Sequence, residues 1–283
     1  MKNKFSLKRY MPHNNILLYI SLIFFIFVIL FPFFWILLTS ITPQNKLSDM
    51  TLFYDFSQAT FKSYVFLFTE RPFLTYIINS AVVSVMTMTL CVSVSTLASY
   101  AIARLRFRGK KIILMTVLCA SMFPQIAVLA PIYIFITGIG LKNTWFGLLI
   151  PYMAFGMPLS IWYLTTFFKS IPFELEEAAK IDGCTPLQTF IRVIAPLTVP
   201  GIFTTAILIF IQSWNEYLIS STINTSEAAR TIPVGITMFR GEFSTPWVDI
   251  STAIITVTIP LAVLVLVLQK RIIAGLTAGA VKG

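Results

Sequence analysis

Charge is scarce in this chain. Only 11% of its 283 residues are Asp, Glu, Lys or Arg, 57% are hydrophobic, and the mean hydropathy is +0.84. Soluble globular domains carry roughly 25% charged residues, and so few charges cannot cover a surface facing water. A soluble protein is thereby excluded, and the chain reads as an integral membrane protein. Histidine is almost missing: His13, near the N-terminus, is the single one, which removes histidine-based metal or acid–base chemistry from the apolar interior. Cys91, Cys119 and Cys184 are widely spaced, and two of them fall inside apolar runs. Neither a disulfide framework nor a zinc site is indicated. No GxxxxGK[ST] loop occurs, so the chain has no phosphate-binding loop of its own. No catalytic residue, no metal ligand and no cofactor is expected here, and the chain is not expected to be an enzyme.

What is present is apolar sequence in span-sized lengths. A bilayer core about 30 Å thick needs around 20 helical residues. Six segments qualify: about 16–41, 73–101, 112–136, 145–168, 197–219 and 250–269. The first is much longer than the apolar core of a secretory signal and no small-residue cleavage site follows it, so it reads as a retained span. The expected fold is an all-α membrane protein of six transmembrane helices. No internal repeat, low-complexity tract or linker divides it, so residues 1–283 read as one domain.

The basic residues orient the bundle. Lys2, Lys4, Lys8 and Arg9 precede span 1, and Arg104, Arg106, Arg108, Lys110 and Lys111 lie between spans 2 and 3. Lys169, Lys180 and Arg192 lie between spans 4 and 5, and Lys270, Arg271 and Lys282 in the tail, making 15 of the 21 Lys and Arg on one side. The other six are Lys46, Lys62, Arg71, Lys142, Arg230 and Arg240. Both termini are therefore expected in the cytoplasm of a multi-pass protein of the cell membrane. The run RLRFRGKK at 104–111 reads as a topology anchor, and the net charge of +10 needs no nucleic-acid partner. Two loops on the outer side are long, about 42–72 and about 220–249; they either dock a partner or cap the bundle.

Charged residues inside spans mark ion paths and proton relays, and only Glu216, in WNEYL, comes near this description. Counting from Leu197, it lies about 19 residues along, roughly 29 Å, at the outer interface, where an anchor or a contact to an outer loop is the simplest role. Carboxylate chains and paired half-length segments, which an ion-coupled secondary transporter would need, are not evident. Uncharged polar residues are more plentiful: Asn79, Gln125, Gln212 and Asn215 fall in spans. One reading is hydrogen bonding between helices. The other is a path for a polar, uncharged solute such as a sugar, with Trp162 and Tyr163 as stacking surfaces.

ELEEAAKIDGCTPLQTF, at 174–190, interrupts this apolar sequence. Pro172 suits a first helical turn, and Glu174, Glu176 and Glu177 complement the positive end of a helix dipole. Gly183 is a natural stop. Thr185-Pro186-Leu187-Gln188 then has the spacing of a capping box with proline at the first helical position. Leu187, Phe190, Ile191 and Ile194 recur at helical spacing as one apolar face. Residues about 170–196 are thus predicted as a rigid helix-turn-helix outside the membrane, a shape suited to engaging a partner.

At this point the chain resembles a family. Glu177-Ala178-Ala179, three residues, Gly183, nine residues and then VIAP ending at Pro196 resembles the signature loop of ABC-importer permeases, although Val193 and Ala195 stand where the family has Ile and Leu. NSAVVS at residue 79, SYAIARLRFRGKK, GLKNTWFGLLIPY, WNEYL and GLTAGAVKG are similar to the carbohydrate-uptake branch, in particular to the shorter six-span permease of maltose-type importers. The resemblance implies a coupling helix seated in a cleft of a cytoplasmic ATPase subunit, with Glu176, Glu177, Ala178, Ala179, Asp182, Gly183 and Pro196 as the coupling set. It implies two such ATPase subunits carrying ATP and Mg, a second, non-identical permease, an external solute-binding protein and a sugar as substrate. It further implies that Gly275, Gly279 and Lys282 of a tail at about 270–283 reach the ATPase pair, and that Gly241, Glu242 and Phe243 face the binding protein. An ABC permease for a non-sugar solute is the alternative, with an ion-coupled transporter behind it.

Overall fold

A computed structural model of the chain describes residues 15–49, 56–239 and 245–280, and their regular structure is helical throughout. In chain order the α-helices are α1 Asn15–Ser40, α2 Lys62–Thr69, α3 Phe73–Arg104, α4 Lys110–Ser121, α5 Gln125–Gly138, α6 Trp145–Ser170, α7 Glu174–Ile181, α8 Pro186–Thr189, α9 Ala195–Trp214, α10 Leu218–Ile223, α11 Ile232–Thr237 and α12 Trp247–Ala280. Among the described residues five helices are long and apolar enough to cross a membrane, or six if α4 and α5 together make one span.

That pair corrects the expectation of a continuous span over 112–136. The chain turns by 95° between α4 and α5. Pro124 causes the break: it has no N–H to give to the preceding turn, and its ring pushes Phe123 out of the helical region. Pro124 itself is extended, and the Met122 N–H closes α4 on the Cys119 carbonyl at 3.1 Å. Composition did not reveal this, because Pro131, Pro151, Pro158, Pro200 and Pro260 all sit inside helices that continue through them. Neighbouring helices can relieve such kinks. α12 runs unbroken to Ala280, past Gln269 where its apolar, span-like stretch ends.

The centre of the bundle is α3, α6 and α9, each packed on the other two. One face of α3 supplies small polar residues, with Ser84, Thr87, Cys91, Ser95 and Ser99 all buried. Small side chains let helices approach closely where lipid gives no hydrophobic drive between them. Ser99 donates to the Ile161 carbonyl of α6 at 3.0 Å. Gly201 does the same work in α9, where an added Cβ would stand 2.7 Å from the Phe167 ring. By contrast α1 packs on α12 only toward its Ser40 end and leaves Leu17 through Leu30 exposed. A helix apolar on all sides fits a lipid environment.

Candidate functional site

Two constructions stand at opposite ends of α3. At its Arg104 end lies α7, whose first turn carries Glu174, Glu176 and Glu177. Gly183 ends the helix with φ +81°, a conformation costly for other residues, and the Cys184 N–H reaches back to the Ala179 carbonyl at 2.9 Å. Thr185 opens α8 with a complete capping box: its hydroxyl accepts from the Gln188 N–H and the Gln188 side chain accepts from the Thr185 N–H. A π-helical turn at Phe190–Ile194 then leads into α9. Such turns recur at functional positions in helical proteins.

The structure divides the expected coupling residues between two faces. Glu177 and Ala178 are exposed, as are Asp182, Gly183 and Pro196. Glu176 and Ala179, three residues apart and so on one side of the helix, are buried against the bundle. Glu176 Oε1 lies 3.0 Å from Arg104 Nε, both side chains nearly inaccessible. The N–H does not line up on the oxygen, so the contact is an ion pair and not a hydrogen bond. Arg104 Nη2 also donates to the Ile171 carbonyl at 2.7 Å, and its guanidinium carbon lies 5.9 Å from the Phe173 ring centre. Glu176 and Ala179 therefore do not present themselves to a partner. The apolar face expected of the second helix is divided too, with Ile194 buried while Leu187 and Ile191 are exposed. Ile181, 87% exposed, and Leu175 are exposed too, so α7 carries apolar as well as charged residues on its accessible surface.

At the other end of α3, Asn79 is fully used. Its Nδ2 donates to the Ala228 and Arg230 carbonyls at 2.8 and 3.0 Å, and its Oδ1 accepts from Trp145 Nε1 at 2.8 Å. Next to it Ser80 accepts from the Ile232 N–H at 2.8 Å. Asn79 thus clasps the segment after α10. Glu216 accepts from the Tyr152 hydroxyl and from the Ile219 and Ser220 N–H groups at 2.7, 2.7 and 3.0 Å. It holds the start of α10 in place, in line with its expected contact to a loop.

Gln125 and Gln212 do converge. Both line a cavity with Tyr152, Phe155, Ser213 and Glu216. Its open volume of about 10 Å³ admits about one water. Asn215 lies apart, exposed, with its amide on the Ile211 carbonyl at 2.8 Å. Gly275 and Gly279 fall in the last turns of α12. Gly241, Glu242, Phe243 and Lys282 lie outside the described residues.

Residues 92–277, which include both ends of the α7–α9 construction, match the family described as the binding-protein-dependent transport system inner membrane component. The chain belongs to this family. The permease is 42% identical over 256 residues to the trehalose transport system permease protein SugB of Mycobacterium tuberculosis, covering 90% of this chain and 93% of that one. It is 38% identical over 273 residues to the trehalose/maltose transport system permease protein MalG of Thermococcus litoralis, covering 95% and 98%. It is 37% identical over 254 residues to the sulfoquinovosyl glycerol transport system permease protein SmoH of Agrobacterium fabrum, covering 90% and 89%. Its fold is that of a chain in a bacterial ABC transporter involved in alginate import, with a TM-score of 0.79 at 22% identity over 90% of this permease and 95% of that chain. Sequence reasoning missed Arg104, read only as one basic residue in a run. Its spacing of four from Tyr100, which packs on Phe190 at 4.7 Å between ring centres, was the available signal.

Proposed function

We propose that this permease is the membrane subunit through which an ATP-driven importer moves a sugar or oligosaccharide into the cytoplasm. The observation that carries the reading is the exposed surface of α7 and α8: Glu177 and Ala178 of the family signature, flanked by Leu175, Ile181 and Leu187. Apolar side chains around a few polar groups on a capped, stiff support suit a protein cleft better than water. The distribution of Lys and Arg supports a cytoplasmic position for this surface and for both termini. Two ATPase subunits carrying ATP and Mg are its proposed partners, joined by a second, non-identical permease. α4 and α5 together act as the remaining span of six. Glu177 holds the ATPase seat by polar contact while Ala178 permits close approach, and the tail around Gly275, Gly279 and Lys282 adds contacts to the ATPase pair.

The opposite face receives an external solute-binding protein at the segments around Asn224–Arg230 and Gly241, Glu242 and Phe243. The relatives whose names give a solute name carbohydrates: trehalose, maltose, diacetylchitobiose and sulfoquinovosyl glycerol. Gln125 and Gln212 offer amides to sugar hydroxyls, and Glu216, already engaged by the Tyr152 hydroxyl and the Ile219 and Ser220 N–H groups, lines the same cavity. Ligand pockets for small molecules are generally several hundred Å³. The narrow cavity between the two glutamines therefore represents a closed path, which tilting of the bundle opens. The test is Glu177→Lys in the intact chain, purified in mild detergent with its ATPase. The variant elutes as wild type but loses the co-purifying ATPase; wild-type retention of the ATPase would overturn the docking role.

A further inference from the structure

We propose that Arg104 is a positioning residue that fixes the direction in which the signature helix faces its ATPase. The inference rests on the docking reading above. α7 is short, packs on α8 and on the π-helical turn at Phe190–Ile194, and is tied to α3 through the Arg104–Glu176 contact. Arg104 provides several contacts at once: the ion pair to Glu176 at 3.0 Å, the hydrogen bond to the Ile171 carbonyl at 2.7 Å and the Phe173 ring within 5.9 Å. Its contacts fall both on the linker that enters α7 and on the inward face of α7. Arg106, Arg108 and Lys111 in the same run are exposed, as topology anchors should be. Arg104 is different, because its side chain is only 6% accessible.

The chemistry explains why arginine stands there. A guanidinium offers several donors in a fixed plane and can serve a carboxylate, a carbonyl and a ring face together, which an ammonium cannot. Tyr100, one turn back along α3, packs on Phe190 beyond α8, so both helices of the loop are referred to the same short length of α3. Between Phe73 and Arg104 that helix contains neither proline nor glycine. Its far end holds Asn79 and Ser80, which bind the segment after α10. The lock therefore mounts the signature helix on a straight element that reaches the opposite face of the protein.

The experiment measures the dissociation constant of the co-purifying ATPase subunit on the permease in lipid nanodiscs, by interferometry, with chromatographic homogeneity as the folding control. Arg104→Gln and Glu176→Gln each weaken ATPase binding at least tenfold while the permease stays monodisperse. Removing one member of a buried pair leaves an uncompensated charge, whereas replacing both by apolar residues is often tolerated. If the single variants do not fold, Arg104→Met with Glu176→Leu supplies the decisive measurement: tenfold weaker binding supports the lock, and wild-type binding overturns it. Wild-type affinity in folded single variants also overturns it. Should Glu177→Lys release the ATPase while the Arg104 and Glu176 variants do not, only the positioning role fails. Retention of the ATPase by Glu177→Lys instead refutes the docking reading beneath it.

Discussion

Replacing Asn79 with alanine isolates the clasp at the Phe73 end of α3. The substitution removes three hydrogen bonds, to the carbonyls of Ala228 and Arg230 and from Trp145 Nε1. A buried polar group left without its partner costs about 1–3 kcal/mol. The cavity bounded by Asn79, Asn143, Trp145, Ala228 and Ala229 has about 420 Å³ of open volume, enough for water to reach the abandoned groups, so the low end applies. Three groups at about 1 kcal/mol each give ~3 kcal/mol, and at about 1.4 kcal/mol per decade the opening constant of the segment rises about 100-fold. Hydrogen exchange in nanodiscs reads this directly. Amides of Ala229, Arg230 and Ile232 should exchange about 100-fold faster in Asn79→Ala, while those of the α3 interior around Ser84 and Thr87 keep their protection. Unchanged exchange at Ala229–Ile232 would refute the clasp. Loss of protection throughout α3 would show that Asn79 supports the bundle and not the loop.

Other consequences are simpler to state. Gly201→Val drives side-chain carbons into the Phe167 ring, which stands 2.7 Å from an ideal Cβ; overpacking of this kind costs about 1–3 kcal/mol and should lower the apparent Tm in detergent. Thr185→Ala removes the side chain that accepts from Gln188, costs about 1 kcal/mol, and should raise exchange in α8 without moving the thermal transition of the bundle. Gln125→Ala and Gln212→Ala should each raise the KM for sugar uptake while leaving ATPase co-purification at the wild-type level; unaltered uptake in both would remove them from the solute path.

Much of the architecture was legible because its signals are local. Apolar length gave five helices long enough to span a membrane, and the Thr185–Gln188 spacing gave a capping box that the structure contains. The bend between α4 and α5 was not legible, since prolines at several helical positions are absorbed by packing and nothing local distinguishes Pro124 from Pro131. The inward and outward division of Glu176 and Glu177 was also hidden. Adjacent glutamates look alike until a cation 72 positions earlier in the chain, Arg104, is brought to one of them. Asn79 illustrates the same limit: an amide in an apolar span suits a solute or a neighbouring backbone equally well, and only the structure shows its backbone partners, about 150 residues further along the chain.

The central claim is that this permease moves a sugar with energy from a separate ATPase. The direct measurement is uptake into proteoliposomes holding the purified transporter, using the sugar that the co-purifying binding protein retains, with and without ATP on the ATPase side and in the presence of a protonophore. The account predicts uptake that requires ATP and the binding protein and is indifferent to the protonophore. Uptake that proceeds without ATP and collapses when the protonophore is added would contradict it.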